Sequence, residues 1–314
     1  RFFAGNPSAS AVQTFSQEVD GPAGFYNSAK ATCTTALTSY GTGAQSKIEY
    51  RIEGTDLAHV QLGTSNAQTL SVSFYVKSNK TGNTAIGLLN QDNNRSFVHQ
   101  YTIASANTWQ RVSFKVVGDT TGTWNKNTSI GMRMRWGTFG TDYQTGTFDA
   151  WQAGQKMATS NSPINFNSAT GDYIQITGVQ VELGDTVTSF EHRSFGEELA
   201  RCQRYFFNIT GDNGSRSGIP GYANATNELR CMVQFPVPMR ALPTVSGSST
   251  AMVFDSQDDS ASFNCSSLVA GGAPTTSNPK QMCIEVSTSG MTNGQGGQLE
   301  FRAANGFINF SAEL

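Results

Sequence analysis

Charge is what this sequence has least of. Asp, Glu, Lys and Arg make up 14% of its 314 residues, against roughly 25% in ordinary soluble proteins. Gly, Ser, Thr, Asn and Gln fill the gap. With 21 basic and 23 acidic side chains and a net charge of −2, general nucleic-acid binding, which collects phosphates on a basic patch, is excluded. No run of 18 or more apolar residues occurs, so no membrane insertion is expected. The start of the chain shows no export leader, and none is expected.

Metal-binding and catalytic patterns are scarce too. The three histidines, His59, His99 and His192, lie far apart, and the five cysteines (Cys33, Cys202, Cys231, Cys265, Cys283) contain no C-x-x-C pair. A zinc site needs ligands in close pairs, so none is expected. The cysteines read as buried free thiols of a protein folded in a reducing compartment; the alternative is a disulfide among Cys231, Cys265 and Cys283. Sequons such as Asn94-Arg95-Ser96 and Asn208-Ile209-Thr210 carry little information in a chain so rich in Asn, Ser and Thr. There is no G-x-S-x-G, H-E-x-x-H or phosphate-loop motif. The acids Glu197-Glu198 and Asp258-Asp259 are adjacent, so they diverge instead of flanking one bond. Catalysis is not expected.

What the chain has is period-two alternation. Ile48, Tyr50 and Ile52 alternate with Glu49, Arg51 and Glu53; Val72, Phe74 and Val76 with Ser73, Tyr75 and Lys77. Val112, Phe114 and Val116 alternate with Arg111, Ser113 and Lys115; Ile130, Met132, Met134 and Trp136 with Gly131, Arg133 and Arg135. Each segment turns one row inward and one outward, the pattern of a β-sandwich. Ile174–Leu183 alternates as well, with Thr177-Gly178 as a bulge where the pattern slips. Helical periodicity is confined to Phe195, Leu199 and Cys202, which predict one helix over Phe195–Gln203, with Glu197 and Glu198 favoured in its first turn by the helix dipole.

Two all-β domains follow, 1–193 and 194–314, joined by that helix. In the second, strands are expected near Tyr205–Ile209, Glu228–Phe235, Met252–Asp255, Ser262–Cys265, Met282–Val286, Leu299–Arg302 and Phe307–Phe310. Val269–Pro279 and Ser287–Gly297 read as loops. Pro236, Pro238 and Pro243 confine Phe235–Val245 to a bend or an edge. No fixed-period repeat supports a β-helix.

All four tryptophans (Trp109, Trp124, Trp136, Trp151) fall in the first domain. Sugar sites combine an aromatic face with Asn, Gln, Asp or Arg. Trp136–Trp151, WGTFGTDYQTGTFDAW, has that composition, with Trp151, Tyr143, Asp142, Gln144 and Asp149 as candidates. Core packing is the alternative for Trp109, Trp124 and Trp136, and for Trp151 as well. Arg51, Arg111, Arg133 and Arg135, with Tyr75 and Lys77, occupy polar rows and form a groove for acidic glycans if neighbouring strands align them; a solvated face or an intersubunit contact is the alternative. No cofactor is expected. A structural calcium held by Asp20, Asp172 or Glu182 has only weak support, because no calcium-loop motif is present.

The segment IQITGVQVELGDTVTSFEHRSFGEELARCQRYFF, residues 174–207, closely resembles the end of the jelly roll of phage fibre and receptor-binding proteins. There a GVQ-E-G strand leads through F-E to GEELA-CQRY and a second β-domain. The likeness continues in Tyr50–Gly54 with Asp56-Leu57, Ser71–Ser78, Lys80–Gly82, Tyr101–Ile103, Thr108–Arg111, Gly118–Gly122 and Trp124. It extends to Phe235–Ala241, Pro243–Val245 and Ser311–Leu314. The resemblance implies a jelly-roll β-sandwich, carbohydrate-binding-module-like, followed by a smaller C-terminal β-sandwich head. It implies a homotrimer in the virion that grips host-surface carbohydrate multivalently, and a further N-terminal segment contacting other virion proteins. In such a trimer, Phe195, Leu199 and Cys202 would meet their copies near the axis, and Met232, Phe235, Met239, Phe301, Phe307 and Phe310 would be buried between subunits. Two alternatives stay open: a purely structural virion protein (head fibre, decoration or adaptor), and a glycan-degrading enzyme.

Overall fold

The alternating apolar rows meet in pairs of sheets. The computed structural model describes residues 2–5, 12–211, 215–256, 261–271, 277–302 and 306–314, and the chain divides into two compact units, Arg1–His192 and Arg193–Leu314. Both are built almost entirely of antiparallel strands in sandwich arrangements, the first of jelly-roll type.

In the first unit a six-stranded sheet has the spatial order β1 (Phe2–Gly5), β4 (Gln45–Glu53), β9 (Ile130–Phe139), β6 (Gly82–Asn90), β7 (Arg95–Ile103), β11 (Trp151–Ala153). Facing it is a five-stranded sheet, β2 (Val12–Glu18), β3 (Ser28–Thr35), β13 (Tyr173–Leu183), β5 (Leu70–Ser78), β8 (Gln110–Val116). A short parallel pair, β10 (Gln144–Thr145) and β12 (Ala158–Thr159), belongs to neither. The inward rows expected from alternation form the core. Ile48, Met134, Trp136 and Leu88 from one sheet pack on Val72, Phe74, Val112 and Ile176 from the other. Phe74 is the hinge of the contact, edge-on to Trp136 at 5.3 Å and to Tyr101 at 5.5 Å between centroids. The expected bulge is present, as a register shift between Thr177 and Gln180, with Gly178 in the left-handed region at φ 58°.

The second unit pairs a three-stranded sheet, β14 (Phe206–Gly211), β23 (Gly306–Ser311), β17 (Thr244–Gly247), with a seven-stranded one. The latter runs β19 (Ser262–Asn264), β18 (Met252–Ser256), β22 (Gly296–Phe301), β15 (Ser215–Ala225), β16 (Glu228–Gln234), β21 (Gln281–Ser287), β20 (Ser267–Ala270). Strand β15, SRSGIPGYANA, escaped sequence reading because Gly and Pro interrupt it. Its register shifts between Arg216 and Pro220, an irregularity that ends at a residue with no N–H to donate to the ladder. Gly221 lies so close to its partner Cys231 that a Cβ there would come within 2.4 Å of the sulfur. Strand β20 also lies partly in a stretch read as loop, whose residues 272–276 lie outside the described residues, as do Asp258 and Asp259.

One expectation is corrected. Phe235, Met239, Phe301 and Phe310 do not await burial by another subunit; they are buried in this unit's own core, where Phe235 meets Phe310 at 5.2 Å. Two sheets, one of seven strands, enclose more apolar surface than the sequence alone suggested. The cysteines are free thiols, with Cys202 exposed and the others buried. Cys231 and Cys265 have their pKa values raised by burial, the latter to about 12, so they are protonated and inert.

The helix α2 spans Phe195–Gln203 as its periodicity predicts; the short α1 (Gly54–Leu57) follows β4. Ser194 caps α2, its hydroxyl accepting from the Glu197 N–H at 3.3 Å, which satisfies one orphan donor of the first turn. None of its residues is buried; Phe195 is 82% exposed and Leu199 42%. The apolar stripe therefore does not pack on its own sheet.

Truncating Trp136, fully buried between the sheets, is expected to cost about 3–5 kcal/mol. Phe195→Ser is expected to change the stability of a single chain by no more than about 0.5 kcal/mol. Urea unfolding of the two variants checks both values.

Candidate functional site

The outward row of strand β4 reads Gln45, Lys47, Glu49, Arg51, and that of β9 reads Arg133, Arg135, Gly137, Phe139. Antiparallel register sets Glu49 opposite Arg135, Arg51 opposite Arg133 and Lys47 opposite Gly137. Cross-strand neighbours on one face stand about 5 Å apart, so the two rows converge on one carboxylate. Glu49 is 1% exposed and takes ion pairs from Arg133 at 3.0 Å, Arg135 at 2.5 Å and Lys47 at 3.7 Å, as well as from Arg51.

Four cations thus converge on one carboxylate. All are largely withdrawn from water, with Arg135 4% exposed and Arg51, at 22%, the most open. Burial would raise the Glu49 carboxyl, but Arg135, Arg51 and Lys47 outweigh it and hold the pKa at about 2. Burial and the positive charge of Arg135 bring Lys47 down to about 8, with Glu49 opposing them. Burial also lowers Arg135. The Arg133 Nε–H is buried without a hydrogen-bond partner. A buried donor without an acceptor is costly, and like charges crowded in a low dielectric repel. An anion bound there relieves both.

The segment after β9 covers the neighbouring half of this face. Gly87 of β6, in register with Arg135, has the Met157 backbone so close that a Cβ would lie 2.6 Å from its Cα. Leu89, Phe139, Met157 and Ala158 form a small cluster with Tyr143 packed against it. Arg135 Nη1 donates to Met157 Sδ at 3.2 Å. The cleft therefore has a cationic wall on β4 and β9 and an apolar wall on the covering segment.

Of the residues picked from sequence, Arg51, Arg133 and Arg135 come together here. Tyr143 stands at the rim, half-buried, with its hydroxyl 3.5 Å from Gln45 Nε2 and its pKa raised by burial. Gln144 follows it on β10. Asp142 accepts twice from the Gly43 N–H, at 3.1 Å, and so holds the 41–44 turn. Asp149 and Trp151 lie at the far edge of the sheet, on and beside β11. Asp149 pairs with His99 at 2.6 Å. Trp151 faces inward: its indole N–H donates to Val117 O at 2.6 Å, and its ring meets Trp124 edge-on at 5.1 Å. It packs against the core margin and stays half-buried. Trp109 is half-buried and donates to Asp20 at 3.3 Å.

Arg111, Tyr75 and Lys77 belong to the other sheet. Arg111 donates to Thr188 O, Tyr75 lies under Phe25, and Lys77 pairs with Asp20 at 2.8 Å. The acids weighed for calcium are separately engaged, Asp20 by Lys77, Asp172 by Lys80 and Ser168, and Glu182 by Thr188. Among the described residues no three potential ligands gather as a metal site. Sequence reading missed Lys47 and Glu49. The alternation placed them on the polar row, but only the β4–β9 register makes Glu49 the centre.

Comparison with protein-family models and with curated proteins gives no match. Among solved structures, the enzymatically active domain of tailspike protein 4 of bacteriophage CBA120 is 14% identical with a TM-score of 0.32, over 58% of this chain and 19% of that one. A putative sugar binding protein of Bacteroides thetaiotaomicron is 14% identical with a TM-score of 0.34, over 59% and 88%. The CBM22-1 xylan-binding domain of Paenibacillus barcinonensis Xyn10C is 7% identical with a TM-score of 0.31, over 59% and 87%.

Glu49→Gln is expected to destabilise the first unit by about 3 kcal/mol near pH 7, as breaking a buried ion pair does. Because the folded pKa is depressed from 4.5 to about 2, this contribution is present above pH 4.5 and lost as pH falls towards 2. Urea unfolding across that range should show the two proteins converging at the acid end.

Proposed function

We propose that this chain is a phage virion attachment protein whose first unit binds acidic carbohydrate of the bacterial surface. The observation that carries the reading is the four-cation cluster around Glu49, with the buried, unpartnered Nε–H of Arg133. Uronic acids and other acidic sugars present a carboxylate to such a site, and guanidinium groups match it bidentately. The virion role follows the ordered sequence resemblance to phage fibre proteins.

The reading is of binding without cleavage. Glycoside hydrolysis takes two carboxyl groups, one of them protonated to serve as acid. Glu49, at the centre of the cleft, is held ionised by its cations and cannot deliver a proton near neutral pH. Affinity per site is modest, and assembly multiplies it. The exposed stripe of α2, with Phe195, Leu199 and Cys202 at coiled-coil spacing, suits the axis of a homotrimer, in which linked sites gain by effective concentration.

On a glycan array the protein is expected to retain acidic glycans and to pass neutral ones, with Arg51→Gln and Arg133→Gln each weakening retention about tenfold or more. Binding is expected to fall as pH rises through about 8, where Lys47 loses its proton. Equal retention of neutral and acidic glycans would remove the acidic-carbohydrate reading. Sedimentation at micromolar concentration tests assembly: the protein should run as a trimer and Phe195→Ser should shift it towards monomer.

A further inference from the structure

We infer that the cleft holds a second, uncharged subsite beside the cationic one, built to take the neutral sugar ring that adjoins the acidic residue. The inference rests on the acidic-carbohydrate reading and adds a length and a direction to it.

The outward row of β9 passes from Arg135 to Gly137 in two residues, about 7 Å along the strand. At Gly137 the row has no side chain. Its φ is +149°, and a Cβ there would fall 2.0 Å from Ser46 O, so no other residue fits. Lys47 stands opposite in register. Here a cavity of about 190 Å³ opens between the sheet and the returning chain. It is smaller than the ~300 Å³ at which sites for drug-sized ligands begin, which suits a single small ring. Gly137 lines the cavity, which therefore begins two residues along the strand from Arg135 and across the ladder from Lys47.

The lining suits a ring with hydroxyls on its edge and C–H bonds on its faces. Ala85 and Ala158 supply small apolar walls. Tyr40 and Asn165 are fixed: Asn167 Nδ2 donates to the Tyr40 hydroxyl at 2.6 Å, and Asn165 Nδ2 donates to Leu37 O at 2.7 Å. Gln144 differs. It lines the cavity, and its side-chain amide takes part in no hydrogen bond among the described residues. One amide offers a donor and an acceptor, which pair with two neighbouring hydroxyls of a sugar. Fixed walls with an uncommitted amide make a preorganised pocket, where a ligand adds bonds without first breaking any. The cavity carries no charge of its own, so the ring it receives is neutral and the acid stays with the arginines.

The test compares glucuronic and galacturonic acid, each alone and linked to glucose or galactose, by calorimetry on the full chain. At least one linked compound is expected to bind about tenfold more tightly than its acid alone, the gain of one or two hydrogen bonds. Gln144→Ala is expected to reduce that ratio to about threefold or less, and Ala158→Leu, which fills the cavity, to abolish it. Arg133→Gln should weaken acid and linked compound alike and preserve the ratio. Binding of the acids with no gain from any linked sugar would overturn the second subsite and leave the acidic reading standing. A gain that survives both Gln144→Ala and Ala158→Leu would also overturn it. Failure of every acid and every linked compound to bind would overturn both.

Discussion

Glu49 accepts ion pairs from two arginines of β9 and from the lysine and arginine that flank it on β4, and this single carboxylate makes the outer face of the six-stranded sheet possible. Without it, four cations would share a largely dry surface with nothing to offset their repulsion. With it, the cluster is held together but not neutralised. Folding and ligand recognition therefore place opposite demands on the same group. A second carboxylate would stabilise the face and silence it as an anion site; none at all would leave the strands forced apart.

The covering segment gives the cluster its environment. Met157 lies directly over Gly87 and against Arg135, so one side of the cleft is closed to water and the other open. Charge in such a half-closed site is screened less than on an open surface, which strengthens attraction for an anion. Small residues do the spacing. Gly87 admits the covering backbone, and Gly137 admits the Ser46 carbonyl of the neighbouring strand.

The second unit follows the same layered logic with different economy. Its sheets of three and seven strands enclose the phenylalanines and methionines that seemed too many for a small domain, which removes the need for a partner to bury them. Apolar side chains left exposed include Phe195 and Leu199 on α2, with Phe206, Tyr222, Leu242 and Val269 elsewhere on the unit. That helix is well capped and carries acids at its positive end, so its local stability does not require its apolar stripe to be covered.

Alternation with period two is written in the residues themselves, because successive side chains of a strand point to opposite faces. The all-β class, the inward rows Ile48–Ile52, Val72–Val76 and Met132–Trp136, the bulge at Thr177-Gly178 and the helix over Phe195–Gln203 were legible for that reason. Strand β15 was not, since its Gly and Pro are tolerated only through a register shift and a close approach to Cys231. Which polar residues act together was equally hidden. Arg51, Arg111, Arg133 and Arg135 look alike as outward charges in the chain, but strand order sends Arg111 to the other sheet. Register sets Arg51, Arg133 and Arg135 around Glu49. Trp151 looked like a sugar platform by composition, and pairing with Phe97 sets it against the margin of the core. A sequence specifies which way each side chain points along its own strand; which strands become neighbours, and in what register, is settled by packing between distant segments, and that packing decided where the cleft lies.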